Sequence, residues 1–181
     1  MTTPEPIAFR PAVAADALCL GVLSTQVFLD TYAPLGISPS LAREVLEQHS
    51  VAVYEATLSD PGVTILVAEC AGHLVGLSQV IDGVGDPLVP TAEASELRRL
   101  YVHERFTGRG VGRELLRHAE KAAAARGADM LWLTAWEGNA RALQFYPRCG
   151  YEDRGDTVYS FGGQDFPNRL FAKRVRHVAS V

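Results

Sequence analysis

One stretch limits the fold of this chain more than any other: FTGRGVGREL, residues 106–115. Gly108, Gly110 and Gly112 alternate with Arg109 and Val111. Upstream, ELRRLYV (96–102) has the apolar positions of a strand, Leu97, Leu100, Tyr101 and Val102. Downstream, Gly110 to Arg126 has helical spacing, with Val111, Leu115, Leu116 and Ala119 on one stripe. AEKAAAA within it has high helix propensity, and Gly127 supplies a stop. A strand that enters a helix through glycines lets its backbone come close to a ligand. The first helical amides lack intrahelical partners and, with the helix dipole, suit a phosphate. Arg109 and Arg113 add positive charge. The competing reading is a tight turn whose glycines serve packing alone. Two other phosphate motifs fail: a P-loop needs Gly-Lys-Ser/Thr, and the turn has no lysine. A GxGxxG fingerprint begun at Gly108 or Gly110 needs glycine where Arg113 or Leu115 stands.

The rest of the chain reads as short elements punctuated by Pro and Gly. Ile7–Arg10 is a first strand closed by Pro11. Asp16 is placed to cap a helix with Leu18, Val22, Leu23, Val27 and Phe28 inside, and Ser40 to cap LAREVLEQ. Thr64–Glu69 and Leu74–Ile81 form a hairpin across Ala71-Gly72-His73. Residues 82–90 are a Gly- and Pro-rich loop. Met130–Thr134 is a buried strand. Asn139 opens a helix through Ala142, Leu143, Phe145 and Tyr146, with Pro147 near its end. Strand-like segments follow Tyr151 and include LFAKRV. This order predicts one α/β domain over 1–181, with a mixed, mostly antiparallel sheet and helices on both faces.

At 181 residues, 48% hydrophobic and 21% charged, the chain has ordinary globular composition. Its net charge of −4 disfavours sequence-independent nucleic-acid binding, which needs a basic face. No apolar run reaches the ~20 residues that span a bilayer, and the start lacks a secretory pattern. Cys19, Cys70 and Cys149 form no CxxC pair. They read as reduced thiols in a cytosolic core, with no disulfide framework, zinc knuckle or other metal site. The expectation is a cytoplasmic protein with no nucleic-acid or membrane partner.

From Glu96 to Tyr151, about a third of the chain, the sequence resembles the core of the GNAT superfamily of N-acetyltransferases. The match runs through ELRRLYVHERFTGRGVGRELLRHAEKAAAARGADMLWLTAWEGNARALQFYPRCGY. The resemblance implies acetyl-coenzyme A as cosubstrate. Its pyrophosphate is expected on the pattern positions Thr107, Gly110 and Gly112, with Gly108, Arg109, Val111 and Arg113 completing the cofactor-binding turn. Thr107 stands where the superfamily usually has Arg or Gln. The backbone of Leu100, Tyr101 and Val102 is expected to pair with the pantetheine amides, and Asn139 to reach the cofactor. Tyr146 matches the tyrosine placed near the departing sulfur. Within the superfamily, LYVHERFTGRGVG, WLTAWEGNARALQFY and FLDTY look closest to bacterial spermine/spermidine acetyltransferases. A polyamine is therefore the first expected acceptor. The resemblance does not extend to the tail YSFGGQDFPNRLFAKRV.

Acetyl transfer needs a deprotonated amine, stabilisation of the thioester oxygen and a protonated thiolate leaving group. Direct attack in a ternary complex meets these needs through orientation. Tyr146 is the candidate acid, since a phenol of pKa near ~10 is neutral at pH 7 and can donate. Glu96 is either a base acting through water or an ion-pair partner of Arg98 on the same strand face. Tyr32, Trp136 and Glu137 are candidates for the acceptor pocket, where aromatic faces and a carboxylate suit a cationic amine. His103 and His118 read as solvent-facing. Two alternatives stay open: acetylation of a peptide or protein, and a non-catalytic acetyl-coenzyme A-binding regulator. The superfamily's habits leave a homodimer open.

Overall fold

In the computed structural model, residues 5–176 are described. Met1–Pro4, part of the start read as lacking a leader, lie outside them. The strands are β1 (Ile7–Pro11), β2 (Val63–Cys70), β3 (His73–Asp82), β4 (Ala94–Val102), β5 (Met130–Trp136), β6 (Glu152–Phe161) and β7 (Gln164–Arg174). The helices are α1 (Ala17–Tyr32), α2 (Pro39–Gln48), α3 (Val51–Ser59), α4 (Val111–Ala125) and α5 (Ala140–Arg148). The sheet has seven strands in the order β1-β2-β3-β4-β5-β7-β6. β4 and β5 are parallel, in register from Ala94 opposite Met130 to Glu96 opposite Trp132. The pairs β1–β2, β5–β7 and β6–β7 are antiparallel, so the expected mixed, mostly antiparallel sheet is present.

Two compact units divide the chain. One holds the chain up to Gln79 together with Arg99–His118, and the other holds Val80–Arg98 and the chain from Ala119. The first has a core of Ala17, Leu20, Leu23, Tyr54, Ile65, Val67 and Leu77. The second is built on Val89, Ala94, Met130, Trp132, Leu170 and Ala172.

Several expectations are corrected. Asp16 does not cap α1: its carboxylate accepts from Arg10 and from the Val13 amide, closing a 3₁₀ turn over Ala14–Asp16. That pairing holds the Asp16 pKa below its ordinary value. Leu18 and Val22 face solvent, whereas Leu23 and Phe28 are buried as expected, joined by Leu20, Gly21 and Ser24. Ser38, not Ser40, caps α2, accepting from the Leu41 amide ahead of Pro39 in the first turn. α3 was unforeseen; Val51 and Val53 argue against a helix locally, but Ser50 caps it and Tyr54 is fully buried. The hairpin turn has two residues, not three, with Ala71 and Gly72 both at positive φ (51° and 76°). No disulfide joins the cysteines, and they are not in the core: Cys19 is exposed, and Cys70 and Cys149 are half-buried. No helix among the described residues is long and apolar enough to cross a membrane.

Candidate active site

The first unit holds the glycine turn. At the end of β4, the His103 amide bonds the Val75 carbonyl of β3 at 2.9 Å. His103 Nδ1 then accepts from the Arg105 amide, opening a 3₁₀ turn over Glu104–Phe106. The Thr107 hydroxyl donates to the Glu104 carbonyl at 2.8 Å, so Thr107 shapes the turn from within. Gly108 and Gly110 sit at φ 73° and 83°, a backbone region that favours glycine. The Glu114 amide bonds the Gly110 carbonyl at 3.1 Å, the first helical bond of α4. The amides of Val111, Gly112 and Arg113 precede it, as helix geometry requires. Arg109, exposed, lies 4.8 Å from the centroid of the Phe106 ring, and Arg113 is exposed beside the same helix end. Gly76 of β3 sets the depth of the helix. A Cβ there would meet the Tyr101 carbonyl and Leu115 Cδ1 at 3.0 Å. The turn therefore presents amides, a helix dipole and two arginines to an anion, directly after the half-buried Leu100, Tyr101 and Val102.

The first unit also holds Tyr32. Its ring lies 4.6 Å from Phe28, Phe28 lies 5.2 Å from His49, and His49 lies 6.3 Å from Tyr101. Burial raises the pKa of the Tyr32 phenol. Nothing in the sequence marked His49, Tyr54, Gln79 or Arg99 as members of this neighbourhood. His49 lies just past the end of α2, Tyr54 sits in α3, whose β-branched residues argue against a helix, and Arg99 reads as one charge in a strand. His103 and His118 are half-buried rather than solvent-facing. His103 Nε2 lies 3.3 Å from Gln26 Nε2, and His118 stacks on Phe9 at 5.6 Å.

The second unit holds Glu96, Trp136, Glu137, Asn139 and Tyr146. Asn139 caps α5, with Oδ1 accepting from the Ala142 amide at 3.0 Å. Seven residues on, Tyr146 is buried at 8% exposure. Its ring packs against Phe145, Tyr151 and Phe171 at 5.2, 5.8 and 5.9 Å. Pro147 sits inside the last turn, and Gly150 leaves the helix at φ 86°. Behind Tyr146, burial and the Glu120 carboxylate push the Tyr151 phenol well above its usual pKa. Lys173 pairs with Glu120 at 2.8 Å and lies 5.5 Å from the Tyr151 ring.

Glu96 is held by Arg98 at both oxygens, 2.8 and 2.7 Å, and the pairing raises the Arg98 pKa. A Cβ on Gly138 would fall 2.3 Å from Trp136 Cζ2, so any side chain there must displace the indole. Glu137 lines an open groove of about 430 Å³ with Leu143, Pro147, Asp153, Arg169 and Phe171. Among the described residues, no group of three or more His, Cys, Asp or Glu is placed to hold a metal.

Residues 31–151 match the model of the acetyltransferase (GNAT) family. An uncharacterized N-acetyltransferase of Mycobacterium tuberculosis is 29% identical over 152 residues, covering 81% of this chain and 90% of the relative. Two solved structures share the fold. A GCN5-related N-acetyltransferase from Rhodopseudomonas palustris has TM-score 0.72 at 25% identity, covering 96% of this chain and 99% of its own. The PaiA N-acetyltransferase from Thermoplasma acidophilum, in complex with coenzyme A, has TM-score 0.71 at 21% identity, covering 93% and 99%. With the glycine turn heading α4 and the family match spanning 31–151, this chain belongs to the acetyltransferase (GNAT) family and is an acetyl-transferring enzyme.

Proposed function

We propose that the protein transfers the acetyl group of acetyl-coenzyme A to a primary amine of a small molecule, by direct attack in a ternary complex. The observation that carries this reading is the turn at Gly108 and Gly110, whose left-handed backbone leads into the head of α4 inside the matched family region. The relative named an N-acetyltransferase and the related fold crystallised with coenzyme A support it.

In this reading, the amides of Val111, Gly112 and Arg113 hold the pyrophosphate, with Arg109 and Arg113 adding charge. The main chain of Leu100, Tyr101 and Val102 orients the pantetheine arm. Asn139 fixes the start of α5, and Tyr146 gives its phenolic proton to the departing sulfur. The two bonds from Arg98 support the ion-pair role for Glu96, so the amine proton is assigned to solvent.

The test follows thiol release from acetyl-coenzyme A across polyamines, amino acids, aminoglycosides and peptides. Tyr146→Phe is expected to cut the rate about 10²-fold, the low end for a general acid, with acetyl-coenzyme A affinity kept. An equal rate in Tyr146→Phe removes Tyr146 from the chemistry. Release with peptides alone moves the acceptor to proteins. Binding of acetyl-coenzyme A without release from any amine favours a regulator.

A further inference from the structure

Cations that are half-buried in a folded chain are costly unless a carboxylate answers them. Among the described residues, Arg10, Arg99, Arg154, Arg169 and Lys173 are half-buried. Four of them reach a carboxylate: Arg10 meets Asp16 and Glu69, Arg154 meets Glu152, Arg169 meets Asp153, and Lys173 meets Glu120. Arg99 is the exception. Its guanidinium donates to Gln79 Oε1 and to the Gln48 carbonyl at 3.2 Å, and lies 5.9 Å from the Tyr54 ring. All three are neutral. Gln79 is buried at 4% exposure, and Tyr54 is fully buried with its hydroxyl bonded to Ser24. The guanidinium is thus fixed in place while its charge has no ion-pair partner among the described residues.

Beside it stands His49, also buried at 4% exposure, whose Nδ1 has no hydrogen-bond partner. Its ring neighbours Tyr101, on the strand that orients the pantetheine arm. A held arginine with unused donors on the cofactor strand itself, and a buried imidazole nitrogen that can donate as its N–H tautomer, form a cradle for an anionic group.

We infer that Arg99 binds a carboxylate on the acceptor, so that the enzyme acetylates an amine borne by a carboxylate-containing molecule of the amino-acid class rather than a polyamine. This rests on the acetyltransferase reading. A carboxylate would complete the fork of Arg99, whereas a polyamine brings ammonium groups toward a like charge.

The experiment compares acceptors that differ only in that carboxylate: lysine against cadaverine, and alanine against alaninamide, with spermidine included. Thiol release gives kcat/KM for each with the parent protein, Arg99→Gln and Arg99→Lys. The parent is expected to prefer the carboxylate member by about tenfold or more, the scale of one charge-assisted pair. Arg99→Gln is expected to bring the paired values within about twofold, through KM, and Arg99→Lys to keep part of the preference. A parent that favours spermidine, or a preference that survives in Arg99→Gln, overturns the inference. If Arg99→Gln fails to fold by its thermal transition, Arg99→Lys decides, and an undiminished preference there overturns it equally.

Calorimetry separates the two layers. Acetyl-coenzyme A is titrated first, then N-acetylalanine or its amide into the coenzyme A complex. No binding of acetyl-coenzyme A sinks the acetyltransferase reading and this inference with it. Cofactor binding with equal affinity for the acid and the amide sinks the Arg99 assignment alone. Tighter binding of the acid, lost in Arg99→Gln, supports it.

Discussion

Helices α1 and α4 are nearly equal in length, 16 and 15 residues, but only α4 declares its buried face in the sequence. In α4, Val111, Leu115, Leu116, Ala119 and Ala123 are buried, while Arg113, Arg117 and Lys121 are exposed. In α1, Leu18 and Val22 are 60% and 63% exposed while Gly21 and Ser24 are buried. Both inversions have local causes. The His49 carbonyl passes 2.7 Å from where a Cβ on Gly21 would stand. Ser24 is buried because its hydroxyl bonds the Tyr54 hydroxyl. Charge contrast around a helix fixes its orientation; a helix apolar on all sides is oriented by partners distant in sequence. The same division separates the proposed roles. α4 and its turn serve a cosubstrate common to the family, whereas α2 and α3 supply the Gln48 carbonyl and the Tyr54 ring that hold Arg99, the residue proposed to choose the acceptor.

The largest expected effect sharpens this contrast. Leu115→Ala in α4 and Leu20→Ala in α1 should each lose about 2–5 kcal/mol in denaturant unfolding, since both side chains are fully buried. A small loss at Leu20 would break the comparison by placing α1 outside the core.

Next is Gly21→Ala, which forces a methyl onto the backbone carbonyl of His49. A loss of about 1–3 kcal/mol is expected. A neutral result would mean that the α1 packing yields easily.

The third effect depends on pH. Burial first, then the Arg99 charge, lowers the His49 pKa from 6.5 to about 4. As pH falls, the unfolded chain takes the proton before the folded one. The contribution is therefore whole above pH 6.5 and lost as pH falls through about 4. At about 1.36 kcal/mol per pKa unit it is at most about 3 kcal/mol. His49→Gln should flatten this part of the stability profile between pH 7 and pH 4, and an unchanged profile would show that His49 is not held neutral.

Smallest is Leu18→Ala, expected to fall within about 0.5 kcal/mol because the side chain is mostly exposed.

The stretch from Glu96 to Tyr151 was legible because its signals are local. Glycines alternate at the head of an amphipathic helix, and Asn139 caps the next one. Tyr146 was placed on the right helix, and its burial among Phe145, Tyr151 and Phe171 is a tertiary fact that spacing does not contain. α3 was missed because its β-branched residues argue against a helix, and the burial of Tyr54 outweighs them. The Arg99 cradle was invisible for a related reason. Gln48, Tyr54, Gln79 and Arg99 come from four separate elements, and none carries a motif.

The most direct test of the central claim is calorimetric titration of acetyl-coenzyme A into the parent protein and Gly110→Val. Gly110 sits at φ 83°, where a β-branched residue is strained, and it carries the first helical bond of α4. The account predicts one-to-one binding to the parent and a loss of about a hundredfold in Gly110→Val that remains folded, the scale of two lost charge-assisted bonds. Absence of binding to the parent, or equal affinity in the variant, would contradict it.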